Sequence, residues 1–503
     1  MQFTLLPGER WWGGAIHHGS KMPLTAASVY EIDLSRECAG NQSVPFFLSS
    51  AGRYLWSDDP FAIRFDRGTV TTDRGVTLAE SDGTLAGAYR TAMRAHFPFD
   101  GRVPDLRFYR TAQYNTWAEL IYEQTQPAIT AYAEAIVSHG YTPGVFMIDD
   151  SWQTGYGLWR FNRERFDDAR TMIDHLHRLG FTVMVWIVPY LCADSPEFRE
   201  AAADPARLLR NPDGSPAILK WWNGYSAALD MTSEGDIAWL RGVCDGLMRD
   251  FGVDGFKCDG GSIDGYPDGL ICRNGPATKA DLTAAWNRFA LSYKVSEVKD
   301  TWKAGGLPFN QRLRDKSHEW HGQGLSCLIS DAIALSLTGH AYICPDMVGG
   351  GSWVNFLPGA PLDQELIVRF AQASALFPAM QFSVAPWRVL TAENAALVKK
   401  TEELHVRFGG YICEQVERTA VTGEPILKPL AYDYPGRGYE DVTDEFLLGD
   451  ELLVAPVLEK GAVTRKVVFP PGVWVSEDCG TYEGPCTAEV TAPLSVLPWF
   501  SKQ

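Results

Sequence analysis

The 503-residue sequence has no CxxC pair among its ten cysteines, no GxGxxG or GxxxxGK[ST] turn, no apolar run long enough to cross a bilayer and no surplus of positive charge. Each absence removes a class of function. Scattered cysteines argue against a zinc ribbon or a disulfide scaffold. Only Cys479 and Cys486, in CGTYEGPC, are spaced for a local bridge, and in a reducing compartment all ten are expected as free thiols. Lack of a glycine-rich phosphate turn removes the main support for a nucleotide-binding sheet. The longest apolar stretch, FTVMVWIVPYLCA, covers 13 residues, too few for a membrane span. A net charge of −17 disfavours nucleic acid or an anionic membrane surface as partner. The opening residues, MQFTLLPGERWWGG, show neither a basic region nor a sustained apolar core, so a cytoplasmic location is the expectation.

What is present is globular: 46% apolar and 21% charged residues, in a chain long enough for two or three cores. Aromatics are abundant, with 17 Trp, 19 Tyr and 25 Phe. Core packing accounts for most of them, but flat rings beside polar groups also suit the faces of sugars. Residues 1–105 read as short alternating strands broken by Gly, Ser and Asp, the texture of a β-sandwich uninterrupted by a long helix. From 106 the rhythm becomes strand–helix–strand: QPAITAYAEAIVSHG, TPGVFMIDDSW, DDARTMIDHLHRLG and FTVMVWIVPYL, continuing through EGDIAWLRGVCDGLMRDFG. That alternation predicts parallel strands with helical crossovers, and polar residues gather at the strands' C-terminal ends, where an α/β barrel builds its site. From 436 short strands and turns return.

GFKCDGG, residues 255–261, places Lys257 and Asp259 on one face of a strand end. Further carboxylates stand at strand ends: Asp149 and Asp150 in FMIDDSWQ, Asp315 in LRDKSHEW and Asp346 in CPDMVGGG. Any one of them could simply cap a helix or close a turn. As a set, beside tryptophans at 152, 186, 221, 222 and 320, they point to acid/base or nucleophilic carboxylate chemistry, with glycoside hydrolysis the leading case. Trp186, Trp222 and Trp320 are the candidate substrate-binding rings. Lys257 is expected to hold Asp259 ionised by charge attraction; a purely structural ion pair is the bland alternative. No metal or other cofactor is expected, because no histidines have ligand spacing: His175 and His177 lie two apart on a helix and do not face each other.

These blocks, with NQSVPFFLSSAGRYLWS, RLRDKSHEW, LSLTGHAYICPDMVGGG and LLVAPVLEKGAVTRKVVFPPGVW, resemble glycoside hydrolase family 31 along nearly the whole chain. The resemblance implies a (β/α)₈ TIM barrel (106–435) between an N-terminal β-sandwich (1–105) and a C-terminal β-sandwich (436–503). It also implies retaining α-glycosidase chemistry on an oligosaccharide or glycoconjugate. Asp259 takes the place of the nucleophile that ends the fourth barrel strand, and Asp315, five residues before Trp320, that of the acid/base. Asp149 and Asp346 match sugar-binding positions. The family's arginine upstream of the acid/base falls on Arg312 or Lys303. Two departures stand out. Lys257 replaces the tryptophan of the W-x-D-M-N-E pattern of α-glucosidases, and Ser383, in MQFS, stands where they carry a histidine. The chain resembles instead an α-galactosidase-like branch, and IDDSW and FKCDGG resemble motifs of the α-galactosidases of families 27 and 36 in the same clan. There the paired aspartates and the lysine read the hydroxyls of galactose. The sequence reading is therefore an exo-acting α-galactosidase. The same chemistry on an α-glucoside, α-N-acetylgalactosaminide or modified hexose, a non-catalytic sugar-binding protein, or at greater distance a metal-dependent hydrolase, are its rivals; a homo-oligomer is left open.

Overall fold

The computed structural model describes residues 1–36, 41–357 and 359–503. Cys38 lies outside them, and the other nine cysteines, Cys479 and Cys486 included, are free thiols. Eight short parallel strands form the central sheet: β1 (Gln113–Asn115), β2 (Val145–Ile148), β3 (Thr182–Ile187), β4 (Gly255–Cys258), β5 (Val295–Val298), β6 (Asn310–Arg312), β7 (Ile343–Cys344) and β8 (Gln381–Phe382). They neighbour one another in chain order from β1 to β7, with β8 beside β1. A parallel bridge from Met347, just past β7, to Gln381 of β8 brings the two ends together and nearly closes the barrel. Strands such as VFMI and TVMVWI are buried at every position, as strands covered on both faces must be.

Helices α1 (Gln126–Ser138), α2 (Ala169–Arg178), α3 (Glu234–Phe251), α4 (Lys279–Ala290), α5 (Leu328–Leu337), α6 (Gln364–Ala375) and α7 (Ala392–Thr422) wrap the strands. Local chemistry starts and stops them. Thr125 and Asp168 cap α1 and α2, Thr278 and Asp281 form a reciprocal capping box on α4, and α3 ends at Gly252 in the left-handed conformation, φ 81°. Between β5 and β6 the described residues form no helix. There Thr301–Trp302 adds as a strand to Gln42–Ser43 of the N-terminal domain.

The N-terminal domain packs a four-stranded sheet on a five-stranded one, Trp11 of one meeting Phe65 of the other at 6.5 Å between ring centres. Contrary to the sequence reading, it also carries a helix, Leu85–His96, capped by Thr84. Its buried face carries Leu85, Tyr89 and Met93 four residues apart, with Ala88 and Ala92 between them. The C-terminal region is a six-stranded antiparallel sheet that begins at Leu427, and its long strand Thr464–Ser476, broken in register between Phe469 and Gly472, pairs with both Gly480–Thr491 and Trp499–Lys502. One face buries Leu447, Phe469, Trp474 and Phe500. Strand Gly480–Thr491 leaves most of its positions exposed but turns Val490 into that core.

Candidate active site

The C-terminal ends of the barrel strands surround a cleft of about 450 Å³ lined by Asp149, Asp150, Trp186, Trp222, Lys257, Asp259, Lys299, Arg312 and Asp315, among others. Asp259 follows β4 directly. Its Oδ2 accepts the indole N–H of Trp186 at 3.0 Å and its Oδ1 the backbone N–H of Gly260 at 2.9 Å. Gly260 and Gly261 both have positive φ, and a Cβ on Gly261 would stand 2.8 Å from Trp286, so the turn after Asp259 requires glycine. Lys257 helps hold Asp259 ionised by its charge, as the sequence suggested, but its hydrogen bond goes elsewhere. Its ammonium donates to Asp149 Oδ2 at 2.6 Å, with both side chains almost wholly buried.

The cation nearest Asp259 is Lys299, immediately after β5, which sequence reasoning missed. Its Nζ lies 3.5 Å from Asp259 Oδ1 and 3.6 Å from Asp315 Oδ2. These two oxygens are therefore separated by no more than the sum of those legs. Retaining glycosidases place their carboxyls about 5–5.5 Å apart and inverting ones about 6.5–9.5 Å, and the bound on these two oxygens accommodates the retaining spacing. Burial would raise Asp259, but Lys299, then Lys257 and the Trp186 N–H, outweigh it and hold the carboxyl at about 2. Asp315, whose side chain is 41% exposed, is likewise held well below its ordinary value against burial by Lys299 and Arg312. The signal for Lys299 was in the sequence: it follows its strand as Asp149 follows β2 and Asp259 follows β4.

Of the two candidates for the family arginine, Arg312 lies in the site. Its Nη1 donates to Asp315 Oδ1 at 2.7 Å and to Asp346 Oδ1 at 2.6 Å. Lys303 points away, donating to the Asp58 carbonyl and lying over Trp56. Two expected sugar contacts do not reach the cleft lining. Trp320 is buried and donates to Asp363. Asp346 has no exposed surface; it anchors Arg312 and accepts the backbone N–H groups of Lys316 and Gly351, tying the loops after β6 and β7 together. Burial pushes it up to about 6 against the pull of Arg312, and its φ of +125° is a strained conformation for a side-chain-bearing residue. Asp150 does line the cleft, but Gln153, Ser151, Tyr156 and Asn223 all donate to it. Burial raises its pKa.

Trp222, 58% exposed, stands at the turn of a hairpin (Ile218–Trp221, Gly224–Ala228) inserted between β3 and α3. Trp117 and Trp353, also missed, line the same cleft and meet edge to face at 6.2 Å. Ser383 accepts the backbone N–H of Ala118. His175 and His177 bind Glu134 and Asp254 respectively. Among the described residues no group of three or more His, Cys, Asp or Glu is placed to hold a metal ion, and no helix is long and apolar enough to cross a membrane.

Residues 112–305 match the Glycosyl hydrolases family 31 TIM-barrel domain and residues 423–503 the Glycosyl hydrolase family 31 C-terminal domain, together more than half of the chain. The myogenesis-regulating glycosidase of Mus musculus is 30% identical over 405 residues, covering 78% of this chain and 56% of that protein. The 1,3-alpha-isomaltosidase of Kribbella flavida is 26% identical over 375 residues, covering 67% and 50%. The chain thus spans about half the length of these relatives. A family 31 dextranase from Flavobacterium johnsoniae, solved with glucose, superposes with a TM-score of 0.87 at 19% identity, over 100% of this chain and 66% of that one. The shared fold and the two domain matches agree: this chain belongs to glycoside hydrolase family 31.

Proposed function

We propose that the protein is a retaining exo-α-glycosidase that releases terminal α-linked galactose. The observation that carries this reading is the pair of carboxyls on one ammonium: Asp259 and Asp315 reach the same cleft, near enough to serve one sugar carbon in turn. Asp259, held ionised, attacks the anomeric carbon while Asp315 protonates the departing oxygen; Asp315 then deprotonates the water that releases the sugar. In the resting site Asp315 is anionic against Arg312, so the acid role requires it to take up a proton as the glycosidic oxygen enters. Galactose is favoured by the buried Lys257–Asp149 pair in place of a glucosidase's tryptophan. A site built to hydrogen-bond one hydroxyl orientation rejects the epimer that leaves its polar groups unpaired.

The test is a panel of nitrophenyl α-galactoside, α-glucoside and α-N-acetylgalactosaminide, with Asp259→Asn as control. The galactoside is expected to turn over fastest, and the variant to lose at least ~10³-fold in rate, ~4 kcal/mol of barrier. Preference for the glucoside transfers the reading to the rival suggested by the likeness to an isomaltosidase. Full activity in the variant removes the nucleophile assignment.

A further inference from the structure

Lys299 occupies a place that the double displacement leaves unexplained. Its mostly buried ammonium is equidistant, within 0.1 Å, from the two carboxylates at 3.5 and 3.6 Å. It also lies 5.9 Å from the centre of the Trp222 ring. The other charges facing it are Arg312 and Asp300; Lys257 acts on both Asp259 and Asp315 from β4. Arg312 is tied on its far side to Asp346, and Asp300 is buried with Oδ1 unpartnered among the described residues. We propose that Lys299 is a positioning residue whose single ammonium stabilises the site's travelling negative charge equally on either carboxylate. The proposal rests on the glycosidase reading above.

In the first half-reaction an oxygen of Asp259 bonds to the anomeric carbon and the glycosidic C–O bond breaks. Its electron pair stays with the departing oxygen, which takes the proton of Asp315. The negative charge thereby leaves Asp259, now an ester, and appears on Asp315. In the second half a water oxygen bonds to the anomeric carbon, its proton passes to Asp315, and the ester C–O electron pair returns to Asp259. One charge crosses the cleft and returns. Coulomb attraction falls with distance, so a cation at equal distance from both carboxylates favours neither end state. Arg312 touches Asp315 and Lys257 pairs with Asp149, so neither can play this part.

The experiment measures the pH profile of kcat/KM on the best aryl α-glycoside for wild type, Lys299→Met and Lys299→Arg. Alongside it, carboxyl-¹³C aspartate NMR titrations of the same full chains, assigned with D259N and D315N, read both groups without turnover. Lys299→Gln is the second neutral variant should the methionine prevent folding. Loss of the ammonium is expected to move both limbs of the profile and both NMR midpoints up by about one pH unit or more, and Lys299→Arg to restore most of the shift. A profile that loses height while its limbs stay in place, or NMR midpoints that do not move, overturns the proposal and leaves Lys299 a structural ion-pair partner. If the wild type turns over no α-glycoside, the functional reading fails, and the NMR midpoints still decide whether Lys299 governs both carboxyls.

Discussion

A Cβ added to Gly351 would stand 2.7 Å from Asp315 Oδ1 and 2.8 Å from the Met347 methyl. The backbone there does not need positive φ, so alanine strains the side chains around it rather than the chain. Gly351→Ala is therefore expected to lower kcat about 10²-fold by displacing Asp315, with little change in melting temperature. Unchanged kcat would show that the carboxyl does not work from this position. The same residues mark the limit of sequence reading at this scale. Asp149, Asp259 and Asp315 were legible because each follows or closely trails a strand. The partner of Lys257 was not, because alternation says which face a side chain takes, not which other strand end it reaches. Lys257 shares a face with Asp259 yet bonds Asp149 across the sheet.

Among the elements, the inserted hairpin between β3 and α3 distinguishes this cleft. It holds Trp222 at its turn, backed by Trp221 at 4.9 Å, which in turn packs on Tyr156 at 4.7 Å and Tyr190 at 5.0 Å. Such a rigid aromatic wall suits the ring of the leaving group. Trp222→Ala is expected to raise KM for an α-galactosyl disaccharide about tenfold, ~1.4 kcal/mol, and to leave kcat nearly unchanged. An equal fall in kcat with unaltered KM would mean that the ring serves the chemical step instead. The barrel helices were readable from their caps and apolar spacing. The hairpin was not, since Ile218–Trp221 and Gly224–Ala228 are only 4 and 5 residues long and carry no sustained alternation. The helix Leu85–His96 was legible by the same signals, Thr84 as cap and Leu85, Tyr89 and Met93 four apart, but lay within a stretch read as alternating strands.

Across the whole molecule, the barrel is joined to both β-domains by specific ties. Thr301–Trp302 extends the N-terminal sheet, and Arg369 of α6 donates to the carbonyls of Ala462, Ala492 and Val496 in the C-terminal region. Stability there is linked to pH through Glu445, which is buried and pushed up to about 8 by that burial against the attraction of Arg465. Its folded value lies above its unfolded value near 4.5. The folded state therefore holds a proton that the unfolded state releases, and stability is lost as pH rises through that window. Glu445→Gln is expected to gain melting temperature relative to wild type progressively between about pH 4.5 and 8. A difference independent of pH would show that this carboxyl does not titrate in the fold. The chain's own order of strands, helices and strand-end carboxylates determined the barrel and most of its acidic residues, because periodicity and capping are local. Which charges meet, that one lysine stands between two carboxylates, and how the strands of the last domain pair, were decided by tertiary structure. Those facts depend on the spacing of strands far apart in sequence, and on which faces remain to be covered once the barrel has closed.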